Sequence, residues 1–224
     1  MKKNNKIRAG FTLAEVLITL GIVGVIAAMT IPTLMNKTND KETVVRLKKA
    51  YSALLSATES IIAEEGPISS WNWNESGYSM DEIIANYKKQ LTFSKSCTLN
   101  VNTCYDASIW KLLNGNAWTT MSYVGNGYHN ILQDGTFIKF QKCPTTTCEY
   151  SQIVSTNVTA KMEIWVDLNG NKSPNILGRD IFLFILTPEK GVIPPDYGVS
   201  SRCAANQTGL TCSTKIIQED GITY

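Results

Sequence analysis

Hydrophobic positions change character as the chain proceeds. From Phe11 to Met35 nearly every residue is apolar, 25 residues in which Glu15 is the only charge, long enough to span a bilayer core as a helix. After a polar patch from Asn36 to Glu42 the apolar positions thin to a stripe. Val44, Leu47, Tyr51, Leu54, Thr58 and Ile61 recur at three- and four-residue steps, widened by Val45, Leu55 and Ile62. Arg46, Lys48, Lys49 and Glu59 fall off the stripe, and Glu65-Gly66-Pro67 supplies a glycine cap followed by a proline stop. The pattern predicts one helix over 11–65, roughly 80 Å long at 1.5 Å per residue. Its first half (11–35) is greasy all round and its second (36–66 with the cap) is amphipathic. Gly21, Gly24 and Pro32 interrupt the first half, and Pro32 is expected to kink or loosen it. The first half needs lipid or other helices around it. The second needs a domain to lean on.

That domain is residues 67–224. Ser79-Met80-Asp81-Glu82 has the pattern of a capping box, and Ile83, Ile84, Tyr87 and Leu91 predict a short helix to about Leu91. Later segments read as strands. "YHNIL" (128–132) and "TFIKFQK" (136–142) flank Gln133-Asp134-Gly135, a hairpin-turn signal. "AKMEIWVDL" (160–168) and "RDIFLFIL" (179–186) flank a Gly/Asn/Pro-rich loop, and from Thr187 onward the chain reads as loop. Helix first and antiparallel sheet second is an α+β plan.

Charge changes the picture at one end only. Lys2, Lys3, Lys6 and Arg8 sit in the first ten residues with no acid; the remainder carries 17 basic and 19 acidic residues. Residues 1–10 are therefore a basic leader, and bulk electrostatics give no reason to expect nucleic-acid binding. The positive-inside rule places the N-terminus in the cytoplasm and the head outside. All six cysteines, Cys97, Cys104, Cys143, Cys148, Cys203 and Cys212, lie beyond the apolar run. Six cysteines allow 15 connectivities. An even number past a membrane segment favours disulfides in an oxidising compartment. Their grouping favours 97–104, 143–148 and 203–212, and with no C-x-x-C pair and one histidine a structural zinc site is not expected.

A secretory signal peptide fits the N-terminus poorly, because the apolar run flows into helix without a small-residue cleavage site. A plain membrane anchor leaves Glu15 unexplained, since a carboxylate at bilayer depth costs a few kcal/mol. "AGFTLAEVLITLGIVGVIAAMTIP" (9–32) closely resembles the N-terminus of type IV prepilins and type II secretion pseudopilins. The basic leader ends in Gly10, the mature chain begins at Phe11, and Glu15 is its fifth residue. Gly24 and Pro32 stand at family-typical places. The resemblance implies cleavage by a prepilin peptidase between Gly10 and Phe11, N-methylation of Phe11, and packing of the helices into a filament core. The implied partners are related pilin subunits, the peptidase, an inner-membrane assembly platform and the membrane itself; nucleic acid enters only for a DNA-uptake pilin. Between residues such as Gly24 and Pro32 the helix of an assembled filament can lose helical order; simple tolerance in a transmembrane helix is the other reading. Glu15 fits on physical grounds as well. A new cationic amine at Phe11, unfavourable at a helix N-terminus, is neutralised by a carboxylate from a neighbouring subunit.

The head offers fewer candidates. In "DLNGNKSPNILGRD" (167–180), Asp167, Asn169, Asn171, Ser173 and Asn175 alternate oxygen-bearing side chains, as in a calcium loop, with Asp180 as a late acid. Lys172 stands where that loop needs glycine and Gly178 where it needs an acid. The alternative is a tight inter-strand loop whose side chains satisfy turn amides. Trp71 and Trp73 are either a surface-binding aromatic pair or a cover for the helix–head junction, and His129 reads as structural. No nucleophile–base–acid set or phosphate loop can be assembled, so the chain reads as a non-enzyme. The expected role is a structural filament subunit. The alternatives are a tip-located minor pilin that binds a surface, or an exported protein that stays tethered.

Overall fold

The computed structural model describes residues 11–73, 79–97, 110–118, 127–143, 159–170, 172–195 and 202–224. The chain divides into two compact units, Met1–Lys41 and Glu42–Tyr224. Helix α1 (Leu13–Glu65) is continuous through Pro32, and Phe11 and Thr12 precede its first turn rather than belonging to it. In the first unit none of the described side chains is buried. Phe11, Leu13, Leu17, Leu20, Ile26 and Met29 are all exposed, and one 18-residue window reaches a mean hydropathy of 2.2.

In the second unit the stripe closes on a core. Val44, Leu47, Ala50, Leu54, Ala57 and Ile61 are buried. Thr58 sits inside the stripe because its hydroxyl is satisfied twice, by Leu54 O at 2.8 Å and by the Tyr87 hydroxyl at 2.7 Å. Helix α2 (Asp81–Gln90) carries that tyrosine. Burial outweighs this bond and raises the Tyr87 pKa. The α2 start differs from the expected capping box. Met80 is the N-cap residue and makes no side-chain cap, while Ser79 Oγ donates to Asp81 Oδ2 at 3.2 Å. The Tyr128 hydroxyl caps instead, accepting from Met80 N at 3.0 Å and donating to Asp81 Oδ1 at 2.7 Å. A cap that arrives from a strand 47 residues away leaves no local signature.

The described strands form an antiparallel sheet in chain order: β1 (Phe93–Cys97), β2 (Tyr128–Leu132), β3 (Phe137–Lys142), β4 (Met162–Asp167), β5 (Ile181–Thr187) and β6 (Gly191–Ile193). Ile138 pairs with Val166 and Val166 with Phe182; Phe140 pairs with Ile164 and Ile164 with Phe184. These six face α1 and α2 in the larger core cluster. The opposite face, with Phe137, Trp165, Leu183 and Ile185, packs under Trp110, Leu177 and Leu210. Because both faces are covered, every residue of β3, β4 and β5 is buried. That is why "RDIFLFIL" has an apolar run rather than an alternation.

Strands β1 and β6 have no counterpart in the sequence reading. β1 exposes Ser94, Lys95 and Ser96, and β6 is three residues long, so neither carries a hydrophobic pattern. The tail also corrects the expectation of loop. Helix α3 (Cys212–Glu219) buries Cys212, Ser213, Thr214 and Ile216. Small polar residues fill its buried face, Ser213 Oγ donating to Leu183 O at 2.8 Å, and hide the helical stripe.

Candidate functional site

The N-terminus of α1 is built by two side chains. Thr12 N and Thr12 Oγ1 donate to Glu15 Oε2 at 2.8 and 2.9 Å, and Glu15 N donates to Thr12 Oγ1 at 3.2 Å. This is a reciprocal capping box, which satisfies two of the donors that a helix start leaves without partners. The signal, Thr12-x-x-Glu15, stands in the sequence, masked by the glutamate's depth in an apolar run. Glu15 is thus held within its own chain, three residues from its anchor and at the head of the exposed apolar helix. Phe11, immediately before the box, is 89% exposed. Gly10 lies outside the described residues. Gly24 and Pro32 both lie inside α1, and an added Cβ at Gly24 meets nothing within 4 Å.

The loop between β4 and β5 divides the residues suspected of holding calcium into two groups. Asp180 is an amide cap. Its carboxylate accepts from Asn175 N at 2.7 Å, Ile176 N at 2.6 Å and Asn169 Nδ2 at 3.1 Å. Burial nonetheless wins over these bonds and raises its pKa. Asp167 Oδ1 accepts from Asn169 N at 3.1 Å. The second group centres on Asn175, whose backbone is left-handed at φ 49° and which is 2% exposed. The inward atom of its carboxamide lies 2.9 Å from Gly170 O, 3.2 Å from Lys172 O and 3.3 Å from Asp167 Oδ2. With nitrogen inward the amide donates to these acceptors and the loop closes on itself. With oxygen inward, the Asn175 oxygen would face three other oxygens, one of them a carboxylate's, with no donor between them. Calcium takes about six to eight oxygens, so the described residues supply roughly half a shell. Asp180 and Asn169 stand behind that shell, not in it, and Asn171 lies outside the described residues. Among the described residues no three His, Cys, Asp or Glu side chains cluster as metal ligands.

The same loop is braced from the C-terminal side. Cys203 and Cys212 form a disulfide, as their spacing suggested. Gly178, at φ 83°, lies so close that an added Cβ would stand 2.7 Å from Cys212 Sγ. Arg179 Nη2 donates to Tyr224 O at 2.8 Å, and the Tyr224 hydroxyl donates to Gly178 O. Cys97 and Cys143 are disulfide-bonded too; Cys104 and Cys148 lie outside the described residues.

Trp71 and Trp73 stack with centroids 6.2 Å apart. Their indole N–H groups donate to Gly66 O at 3.0 Å and Ile68 O at 2.7 Å. The pair therefore covers the end of α1 against the core. His129 is 1% exposed on β2, edge-on to Phe137 at 5.3 Å.

Comparison with known proteins gives two matches, one over the N-terminus and one over most of the remaining chain. Residues 5–31 match the prokaryotic N-terminal methylation motif, which is characteristic of type IV pilins and pseudopilins and suggests a structural protein processed by prepilin peptidase. Motif and apolar helix together fit a membrane-anchored precursor. Residues 33–197 match a family of unknown function (DUF6613), and the chain belongs to that family. No curated protein and no solved structure matches it.

Proposed function

We propose that the protein is a structural subunit of a type IV pilus or type II secretion pseudopilus. Prepilin peptidase cuts between Gly10 and Phe11, and the mature chain polymerises through its N-terminal helix with identical or related subunits on an inner-membrane platform. One observation carries the reading: an apolar helical segment with no buried described side chain, headed by a carboxylate on a cap, inside a match to the methylation motif. Removing the leader creates an ammonium at Phe11. A carboxylate and an ammonium that are costly alone in an apolar medium are tolerable as a pair. Because Glu15 is already engaged by Thr12, assembly is an exchange of partners for that carboxylate. Between Gly24 and Pro32 the helix, continuous in the free subunit, can lose helical order in the assembled filament. The head carries no catalytic role. Mass spectrometry of the native protein tests the reading: a chain starting at N-methylated Phe11 is expected, and an intact Met1 terminus refutes it. Recovery in sheared surface filaments then separates pilus from pseudopilus.

A second reading concerns the β4–β5 loop. Calcium would take Asp167 Oδ2, Gly170 O, Lys172 O and the Asn175 carboxamide oxygen, with water completing the shell, at the cost of the three hydrogen bonds that the inward amide nitrogen otherwise donates. Calorimetric titration with millimolar calcium checks it; absence of heat with the purified protein overturns it. An adhesive tip role would need a platform other than Trp71 and Trp73, whose N–H groups are spent on the chain itself.

A further inference from the structure

Thr12 decides where helix α1 begins. In a helix that continued upstream, the Glu15 N–H would donate to Phe11 O, four residues back. Here Glu15 N donates to Thr12 Oγ1 at 3.2 Å, and Thr12 N, which would need a carbonyl four residues upstream, donates to Glu15 Oε2 at 2.8 Å. The helical ladder opens one residue later, with Val16 N donating to Thr12 O at 3.2 Å. Phe11 and Thr12 thus lie outside the helix, and Phe11 is exposed.

The methylation-motif match spans this cap and brings in a second party, the peptidase. Only Phe11 and Thr12 separate the Gly10–Phe11 bond from Leu13, the first helical residue. Hydrolysis there adds the hydroxyl of water to the Gly10 carbonyl carbon and a proton to the Phe11 nitrogen, so both sides of that amide must be reached. Proteolysis acts on open chain rather than on hydrogen-bonded helix. At an apolar depth opening a helix is costly, because the freed N–H groups find no water. A helix running on through Phe11 would have to be opened before each cut. The Thr12 hydroxyl removes that step by taking the donor that the Phe11 carbonyl would otherwise bind.

We propose that Thr12 is a positioning residue for processing: its hydroxyl ends α1 just past the Gly10–Phe11 bond, so that the precursor presents this bond outside the helix. The inference rests on the prepilin-peptidase step of the function proposed above. The bond that ends the helix goes to the backbone of residue 15 and survives loss of the Glu15 carboxylate. Thr12 and Glu15 therefore have separable tasks, one in cutting and one in assembly.

The test follows cleavage of the full-length precursor in bicelles by purified prepilin peptidase, comparing wild type with Thr12→Val, Thr12→Asn and Thr12→Gly. Valine keeps the shape of threonine and cannot cap. Asparagine caps with a different shape, and glycine has no side chain yet is a nearly equal N-cap. A pocket that read the Thr12 side chain would accept valine and reject glycine; a cap predicts the reverse. Thr12→Val should raise KM about fivefold, the scale of one side-chain cap. Its kcat should hold, since only the fraction of open precursor falls. Thr12→Asn and Thr12→Gly should stay within about twofold of wild type. Carbon-13 shifts of Phe11 give a second readout, turning largely helical in Thr12→Val alone. Valine cut as readily as wild type, or asparagine and glycine slowed as much as valine, overturns the proposal. A Phe11 that stays non-helical in Thr12→Val does so too. Wild-type precursor left uncut at Gly10 refutes the pilin reading and this inference with it, whereas uniform rates across the variants refute this inference alone.

Discussion

The two halves of α1 use similar residues for opposite ends. Leu17, Leu20, Ile26 and Met29 are each more than half exposed, whereas Leu47, Leu54 and Ile61 are at most 1% exposed. Intrinsic helix propensity does not separate them. What differs is where the covering surface comes from: the second half finds it in its own sheet, and the first finds none among the described residues. Hydrophobic burial is worth about 25 cal/mol per Å² wherever it is realised. The exposed half is therefore unrealised burial, which the function proposed above would satisfy with lipid and then with other subunits. Polar residues follow the same division. Thr58 is bonded within its own fold, while Glu15 is bonded within its own first turn, where a new partner can take it over.

The largest effect is expected at Glu15. Glu15→Ala should leave cleavage at Gly10 intact and lower incorporation into filaments by about 100-fold or more, the consequence of removing one partner of a buried pair worth roughly 3–5 kcal/mol. Co-sedimentation of the variant with sheared filaments checks this. Normal incorporation breaks the comparison, because the first half would then need no electrostatic register.

Leucine truncations sharpen it next. Leu54→Ala opens a cavity in a closed core and should cost the head about 2–5 kcal/mol in denaturant unfolding. Leu20→Ala, a chemically identical change 34 residues earlier, should leave the midpoint of the head unchanged, since Leu20 is 63% exposed. Equal effects from the two would mean that the first half is also part of the folding unit.

Asp180 comes third. Asp180→Ala leaves the N–H groups of Asn175 and Ile176 and the Asn169 amide without their acceptor, which should cost about 1–3 kcal/mol for each one that water fails to reach. Asp180→Asn should cost less, because one oxygen still accepts. Thermal unfolding measures both. If calcium at millimolar concentration restores the Asp180→Ala midpoint, the loop's two groups act as one site, and the assignment of Asp180 as a cap alone is wrong.

How much of this was legible in the sequence follows from how local each signal is. The α1 stripe, the hairpin around Asp134-Gly135 and the strands on either side of the β4–β5 loop are periodic or turn-coded, and all could be read directly. So could the Cys203–Cys212 couple, which is nine residues apart. The Tyr128 cap on α2 could not, because donor and acceptor are brought together only by the sheet. Strand β1 and helix α3 are not legible because serines, threonines and lysines among their buried or paired positions break any hydrophobic period. At the candidate site the motif around Phe11 and Glu15 is plain in the sequence, and Thr12-x-x-Glu15 is a local code for the capping role that the apolar run around it masks. Alternation of oxygen-bearing side chains suggests one calcium ligand set; backbone geometry, with Asn175 in a left-handed turn, sends Asn169 to Asp180 instead.

The smallest effect concerns how much of the second half's hold on the head is charge rather than core. Lys49 donates to Asp134 Oδ2 at 2.7 Å, and Thr136 N donates to Oδ1 at 3.1 Å. Partial burial pushes the Asp134 pKa up, but the bonds from Lys49 and Thr136 together outweigh it and hold the carboxyl below its ordinary value. A carboxyl whose folded pKa is depressed stabilises the fold at pH values above the unfolded value, near 3.9. That contribution fades as pH falls through the lower folded value. The pair is open to solvent, with side chains 68% and 41% exposed, so it should be worth only about 0.2–1 kcal/mol at neutral pH. Asp134→Asn should therefore lower stability by that amount at pH 7, the gap closing below about pH 4 as the wild-type carboxyl protonates. Strong salt should also narrow the gap at pH 7, since the Debye length falls to about 3 Å at 1 M. Denaturant midpoints measured across pH for both proteins decide it. A difference that persists at pH values below the depressed folded pKa, where both side chains are neutral, would assign the effect to the turn's hydrogen bonds. The second half of α1 would then be held to its sheet by packing and turn geometry, with its basic residues left free for other work.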